Sequence, residues 1–110
     1  MSGVKIIAIY PYPTDVEEFE NVYVNEHVPL AADKVKGMSK FVGTKVLAAA
    51  DGSKPPFYRI AELHFPSMEA LPEAAGSPGG QETVAHAIKI SSGGPPIILV
   101  AEEQIGRAHV

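Results

Sequence analysis

The chain has 110 residues, 45% of them hydrophobic, and its nine basic and 13 acidic residues give a formal charge of −4. These values are typical of one soluble globular domain. The acidic balance argues against nucleic acid or an anionic membrane as a partner, because both bind basic surfaces. The absence of cysteine excludes disulfides, thiolate nucleophiles and cysteine-ligated metals. With no apolar run of about 20 residues and no signal-peptide pattern, we expect a cytoplasmic protein.

The first predicted elements are a strand and a long helix. Residues 4–10 form a nearly continuous apolar run that ends at prolines, which indicates a buried central strand. Thr14 is predicted to cap the following helix, with acidic residues in its first turn. From Val16 the apolar residues recur at helical spacing, and Gly37 suits the end of this helix. Pro29 lies inside the pattern and is expected to bend or end the helix locally.

The second half of the chain contains two strands, two helices and a final strand. Val84 and Ile88 are expected to form the apolar side of the second helix, with His86 on its solvated side. The order β-α-β-β-α-β predicts a ferredoxin-like α+β fold with a four-stranded antiparallel sheet and helices on one face. The bare sheet face predicts a homodimer joined through its sheets. The predicted strands in this part of the chain are 41–50, 57–65 and 97–101. One predicted helix is capped by Ser67 and runs through Leu71, and the next is capped by Ser77.

The last six residues, 105–110, have neither strand nor helix periodicity. The same string is encoded by a common sequencing-adapter DNA read in one frame. We interpret it as a read-through scar on a single domain of residues 1–104, and exclude it from functional reasoning.

His27 is the most informative candidate residue. It follows Phe19 and Tyr23 at spacings of four, so it lies in the apolar stripe of the first helix. An imidazole there is either a core side chain with its hydrogen bonds satisfied, or a pocket residue that donates and accepts protons. Periodicity alone leaves both readings open.

Other candidates are tyrosines and a pair of polar residues on the third strand. Tyr23, Tyr10 and Tyr58 are either core residues or pocket residues whose hydroxyls orient a substrate oxygen. Glu62 and His64 alternate onto one face of the strand. They form either an ion pair at a rim or dimer interface, with Arg59 or Lys45 nearby, or a second acid–base element. The spacing of the histidines does not indicate a metal site.

Several strings, taken in order, resemble the EthD family, named for ethyl tert-butyl ether degradation. The most specific is Glu-His-Val-Pro-Leu at 26–30, which falls in the predicted first helix. The resemblance extends to about Glu103. The strings are YPYPTD at 10–15, NEHVPL at 25–30, KG at 36–37, AELHF at 61–65, SMEAL at 67–71 and SPGGQ at 77–81.

Membership of that family implies a dimeric α+β barrel with a cavity between sheet and helices, into which His27 would point. Family members are often described as oxidoreductases. Related barrels include cofactor-independent monooxygenases, polyketide cyclases, muconolactone-type isomerases and haem-degrading enzymes. The fold hosts many functions, so the resemblance does not fix the reaction.

Three functional hypotheses follow. The first is a cofactor-independent enzyme acting on a small apolar or aromatic metabolite, with His27 moving a proton and Tyr23 or Tyr10 orienting an oxygen. Such an enzyme should have an apolar pocket of a few hundred Å³. The second is a non-catalytic binding or accessory protein of a catabolic or redox pathway, and the third is a structural dimer in which His27 is a core residue.

Overall fold

The computed structural model describes residues 3–104, and the hypothesis on residues 105–110 concerns a segment outside them. The helical segment after the first strand is continuous from Val16 to Lys34 but changes its winding in the middle. The elements are β1 (Val4–Pro11), α1 (Val16–Val22), a π-helical turn (Tyr23–His27), α2 (Val28–Lys34), β2 (Lys40–Lys45), β3 (Phe57–Phe65), α3 (Ala70–Gly76), α4 (Pro78–Ile90) and β4 (Ile97–Glu102).

The four strands form one antiparallel sheet in the order β2-β3-β1-β4. The apolar strand β1 is central, and Ala8 pairs with Ala61 on one side and Ile98 on the other. This topology confirms the ferredoxin-like α+β prediction. Strand β2 is shorter than predicted, because pairing with β3 ends at Lys45 rather than continuing to residue 50.

Two helix starts differ from the sequence prediction. The cap of α1 is Asp15, whose carboxylate accepts a hydrogen bond from the Glu18 backbone N–H at 3.1 Å. The prediction of Thr14 was therefore wrong by one residue. Ser67 does accept a hydrogen bond from the Ala70 N–H, but α3 continues five residues beyond Leu71.

Helix α4 packs through small residues rather than through its larger apolar ones. Ser77 caps it as predicted, accepting a hydrogen bond from the Gly80 N–H at 3.0 Å. A Cβ added at Gly79 would overlap the backbone carbonyl of Lys34, so only glycine permits this approach of α4 to α2. The buried positions of α4 are Gly80, Thr83 and Ala87. Val84 and Ile88 are exposed, so the predicted apolar face was wrong.

The helices cover one face of the sheet and leave the other open. Side chains alternate along β1, so Ala8 and Tyr10 enter the core while Ile7 and Ile9 lie on the opposite face. On β4, Leu99 shares that open face and is 47% exposed. No helix among residues 3–104 is long and apolar enough to cross a membrane.

Candidate functional site

The π-helical turn positions His27 on the buried side of the long helix. The Val28 N–H donates to the Tyr23 carbonyl, one residue further back than in an α-helix. Pro29 follows directly after this turn, at the start of α2, and it lacks the N–H that would continue the helical hydrogen bonds. The helix thus accommodates the proline by widening one turn instead of ending. Such turns occur frequently at functional sites.

His27 lies between Tyr10 and His86 and makes a hydrogen bond to each. Its Nε2 is 3.1 Å from the Tyr10 hydroxyl, and its Nδ1 is 2.8 Å from Nδ1 of His86. The two imidazole rings are within 10° of parallel, with centroids 5.1 Å apart. Beyond them, Nε2 of His86 lies 3.9 Å from Oε1 of Glu26. A chain of proton-carrying groups therefore runs from β1 through the π-helical turn to α4.

Burial keeps the inner groups of this chain uncharged. It lowers the pKa of His27 to about 4, and the neighbouring His86 contributes to the same effect. Burial also raises the pKa of the Tyr10 phenol well above its ordinary value. At neutral pH, His27 is a neutral imidazole and Tyr10 is a neutral phenol. A neutral imidazole has one nitrogen that donates and one that accepts, so it can pass a proton in either direction.

One void lies at each end of the histidine pair. An apolar cavity of about 50 Å³ is lined by Tyr10 and His27, with Thr83 as the other polar residue. Its apolar lining includes Ala8, Ala31, Val35, Phe41, Ala61, Leu63, Ala87 and Ile98. The cavity is much smaller than the few hundred Å³ expected from the sequence.

A cleft of about 390 Å³ with a mixed polar and apolar lining lies between α1 and α4. Its lining includes His86, the acidic residues Asp15, Glu18 and Glu26, and Lys89. His27 lines the cavity and His86 lines the cleft, so the histidine pair spans the wall that separates them.

Tyr23 contacts His27 through its ring and not through its hydroxyl. The two rings stack with centroids 5.8 Å apart, and the Arg59 guanidinium lies over the Tyr23 ring. The Tyr23 hydroxyl is buried and makes no hydrogen bond to any residue from 3 to 104. Of the two tyrosines considered as partners for His27, Tyr10 is therefore the one in hydrogen-bond contact.

The other candidate residues lie away from His27. Tyr58 is buried against Phe19 and Tyr12, with centroid distances of 5.9 and 5.4 Å, and does not line the cavity. Glu62 and His64 lie on the open face of the sheet, opposite the helices. The structure thus does not bring these three residues together with His27.

An ion pair does form on the open face, but with a different partner from the predicted ones. Lys5 Nζ lies 2.7 Å from Oε1 of Glu62, and this hydrogen bond lowers the pKa of the carboxyl. Nε2 of His64 lies 3.3 Å from the same oxygen. Arg59 instead binds Glu20 with two hydrogen bonds of 2.8 Å, on the helix-covered face.

His86 is the site residue that the sequence reasoning missed. Its neighbours at helical spacing include Glu82 and Lys89, which suggested a solvated side. The structure shows its side chain only 19% exposed and bonded to His27. The available signal was the stripe of small residues at 79, 80, 83 and 87. This stripe marks the side of α4 that packs closely against neighbouring helices, and His86 lies next to it.

The part of the chain that the structure describes has no group of three or more His, Asp or Glu side chains placed to hold a metal ion.

Comparison with known proteins places the chain among small α+β proteins. An uncharacterised 11.0 kDa protein from the thcB-thcC intergenic region of Rhodococcus erythropolis is 30% identical over 101 residues. The alignment covers 92% of this chain and 96% of that protein. The crystal structure of an EthD family protein from Bacillus halodurans has a TM-score of 0.86 at 26% identity, covering 93% of this chain and 99% of the other.

Two solved structures with lower identity share the fold. Hydroxynitrile lyase from Passiflora edulis has a TM-score of 0.73 at 13% identity, covering 96% of both chains. A dimeric ferredoxin-like protein of unknown function from Jannaschia has a TM-score of 0.62 at 13% identity, covering 96% of this chain and all of the other. The model of the EthD domain matches residues 11–89, which contain the π-helical turn and both site histidines. The chain therefore belongs to the EthD family.

Proposed function

We propose that this chain is a cofactor-independent enzyme that moves protons on a small apolar or aromatic metabolite, with His27 as the proton donor and acceptor. The observation that carries this proposal is the Tyr10–His27–His86 hydrogen-bond chain at the wall of an apolar cavity. Isomerisation, cyclisation and oxygenation of such metabolites share a proton-transfer step, and positioned acid–base groups accelerate it by about 10²–10⁴-fold.

The burial of the site supports this chemistry. A neutral histidine in a water-poor cavity can take a proton from a weakly acidic C–H or O–H group, whereas a cationic histidine cannot. The pKa of His27, lowered to about 4 by burial, leaves it neutral across the physiological range. Tyr10, held protonated, can donate a hydrogen bond to a substrate oxygen.

The size of the cavity favours a small substrate. Its volume of about 50 Å³ is far below that of a pocket for a drug-sized ligand, roughly 300–1,000 Å³. Larger metabolites would require side chains at the cavity wall to move. The fold supports lyase chemistry in hydroxynitrile lyase from Passiflora edulis, so a cleavage reaction joins the reaction classes to be tested.

A second candidate function is ligand binding without turnover, as an accessory protein of a catabolic or redox pathway. One observation favours it, because protein groups already occupy both ring nitrogens of His27. A substrate could use His27 only through Tyr10 or by displacing its hydroxyl. The two candidates differ in whether a bound ligand is chemically changed.

We also propose that the protein acts as a cytoplasmic homodimer joined through the open sheet faces. The apolar side chains of Ile7, Ile9 and Leu99 on that face support the dimer, as does the dimeric Jannaschia protein of the same fold. The cysteine-free composition is compatible with a reducing compartment.

A thermal-shift screen of small ketones, aldehydes, lactones and phenols tests the proposed function. A ligand at 100 times its Kd should stabilise the wild type by about 2.7 kcal/mol. The shift should shrink in Tyr10→Phe and persist in Tyr12→Phe, because Tyr12 does not line the cavity. Turnover of the ligands found would support an enzyme, binding without turnover would support the accessory protein, and the absence of any ligand would contradict both.

A further inference from the structure

The hydrogen-bond chain at His27 can hold its protons in two arrangements. In the first, the Tyr10 hydroxyl donates to His27 Nε2, and the His27 Nδ1–H donates to Nδ1 of His86, which carries its own proton on Nε2. In the second, the His86 Nδ1–H donates to His27 Nδ1, and the His27 Nε2–H donates to the Tyr10 oxygen. Both arrangements use the same heavy-atom positions.

Conversion between the two arrangements carries one proton between solvent and cavity. Starting from the second, a proton from water binds Nε2 of His86, and one proton shifts along each hydrogen bond. The Tyr10 hydroxyl then releases its original proton to a basic atom of the bound molecule. The chain ends in the first arrangement, and every group is neutral before and after the transfer. The reverse sequence carries a proton out.

We propose that His86 is the outer residue of a proton relay through which Tyr10 and His27 exchange protons with solvent in the α1–α4 cleft. His86 acts through His27 and has no place at the cavity wall, so it is a positioning and relay residue. The inference rests on the proposed function for its purpose, but the outer step, exchange of the His27 ring proton with solvent through His86, needs no bound molecule.

The surroundings of His86 suit the outer end of such a relay. The residue is half-buried and lines the cleft, so water reaches one edge of its ring. Glu26 lies 3.9 Å from its Nε2, and Asp15 and Glu18 also line the cleft. These three acidic residues and Lys89 are the charged residues that line the cleft.

The relay also indicates a class of reaction. Passing a proton inward converts the second arrangement into the first, and passing one outward restores it. A reaction that takes up one proton and releases one in each cycle therefore resets the relay without rotation of any ring. Isomerisation through an enol and addition–elimination at a carbonyl group both have this balance.

Proton exchange with water in the free protein tests the relay. The probe is water itself, and the measurement is the NMR exchange rate of the His27 ring N–H. His86→Phe retains an aromatic ring and removes both nitrogens, and it should slow this exchange by about 100-fold. Lys89→Ala is the matched control, because Lys89 lines the same cleft but is not part of the relay. The His27 ring N–H of this variant should exchange at the wild-type rate.

Chemical rescue provides a second experiment in case the His86→Phe variant does not fold. His86→Ala opens space beside His27, and free imidazole in the cleft should accelerate its exchange toward the wild-type rate. In the wild type, ¹⁵N shifts should show that one of the two facing Nδ1 atoms carries a proton and the other does not.

Two results would overturn the relay. One is unchanged exchange in a folded His86→Phe protein, and the other is the lack of any effect of imidazole on His86→Ala. Neither result depends on turnover, so His27 would remain the proposed acid–base residue. Conversely, a working relay in a protein that changes no ligand would contradict the proposed function and leave the relay established.

Discussion

Nδ1 of His27 lies 2.8 Å from Nδ1 of His86. Two like nitrogens can approach this closely only if one carries a proton and the other accepts it, so the two rings hold opposite tautomers. The tautomer of His27 in turn decides whether Tyr10 donates to it or accepts from it. The proton position at the buried phenol is therefore coupled to that at a side chain in contact with solvent.

The stability of the protein should fall as the pH drops through the range set by His27. Burial lowers its pKa from 6.5 to about 4 in the folded chain, so the unfolded chain binds this proton first. The free energy of unfolding should be highest above pH 6.5 and should decline between pH 6.5 and 4. Below that range, the protonation of this residue should have lowered it by about 3 kcal/mol. Urea unfolding at a series of pH values measures the decline.

The variant His27→Gln is the control for this pH dependence. It should lose the decline between pH 6.5 and 5 and keep the losses at lower pH. Those losses come from Glu20 and Glu62, whose pKa values are lowered by hydrogen bonds from Arg59 and Lys5. An unchanged decline in the variant would show that His27 is not the residue responsible.

Tyr10→Phe should destabilise the fold by about 1–3 kcal/mol, because it leaves a buried nitrogen of His27 without its partner. Tyr12→Phe removes the same hydroxyl from a half-buried ring outside the cavity, and its effect should be small. Urea unfolding of both variants measures the difference. Equal stabilities would mean that the Tyr10 hydroxyl bond is not formed in solution.

Gly79→Ala should destabilise the protein by about 1–3 kcal/mol, because the added methyl group would overlap the Lys34 carbonyl and force α4 away from α2. Gly76→Ala is the matched control in the preceding helix, since nothing lies within 4 Å of its added Cβ. Thermal unfolding compares the two. A neutral Gly79→Ala would show that α4 and α2 are less closely packed than described.

Leu99→Glu should convert a dimer into monomers, because it places an unpaired charge beside Ile7 on the open face of the sheet. Val100→Glu is the control on the same strand. Val100 is 61% exposed and points to the other face, so its substitution should leave the dimer intact. Sedimentation velocity distinguishes the species, and a wild type that sediments as a monomer would refute the sheet-face dimer.

Much of the fold could be predicted because local patterns and tertiary structure agree. The apolar run of β1 indicates a central strand, and the spacing of Phe19, Tyr23 and His27 indicates a buried helical stripe. The structure confirms both, with these three side chains at most 4% exposed. Ser77 before a proline similarly marks the start of α4.

The errors arose where tertiary packing decides the outcome. Val84 and Ile88 are apolar but exposed, because α4 approaches its neighbours through Gly79 and Gly80. The same close approach brings His86 to His27. The small residues of α4 mark the side that packs closely, but no spacing within α4 identifies His27 as the partner. A partner that comes from another element, as His86 does, becomes visible only when the two helices are placed together.

Solvent-deuterium exchange into small enolisable ketones tests the central claim most directly, because it detects proton transfer at carbon without any further chemistry. The wild-type protein in D₂O should accelerate the incorporation of deuterium into a ketone that binds the cavity. His27→Gln should lower that rate by about 100-fold or more, while Lys89→Ala should leave it unchanged. Equal rates for the wild type and His27→Gln would contradict the assignment of His27 as the group that moves the proton.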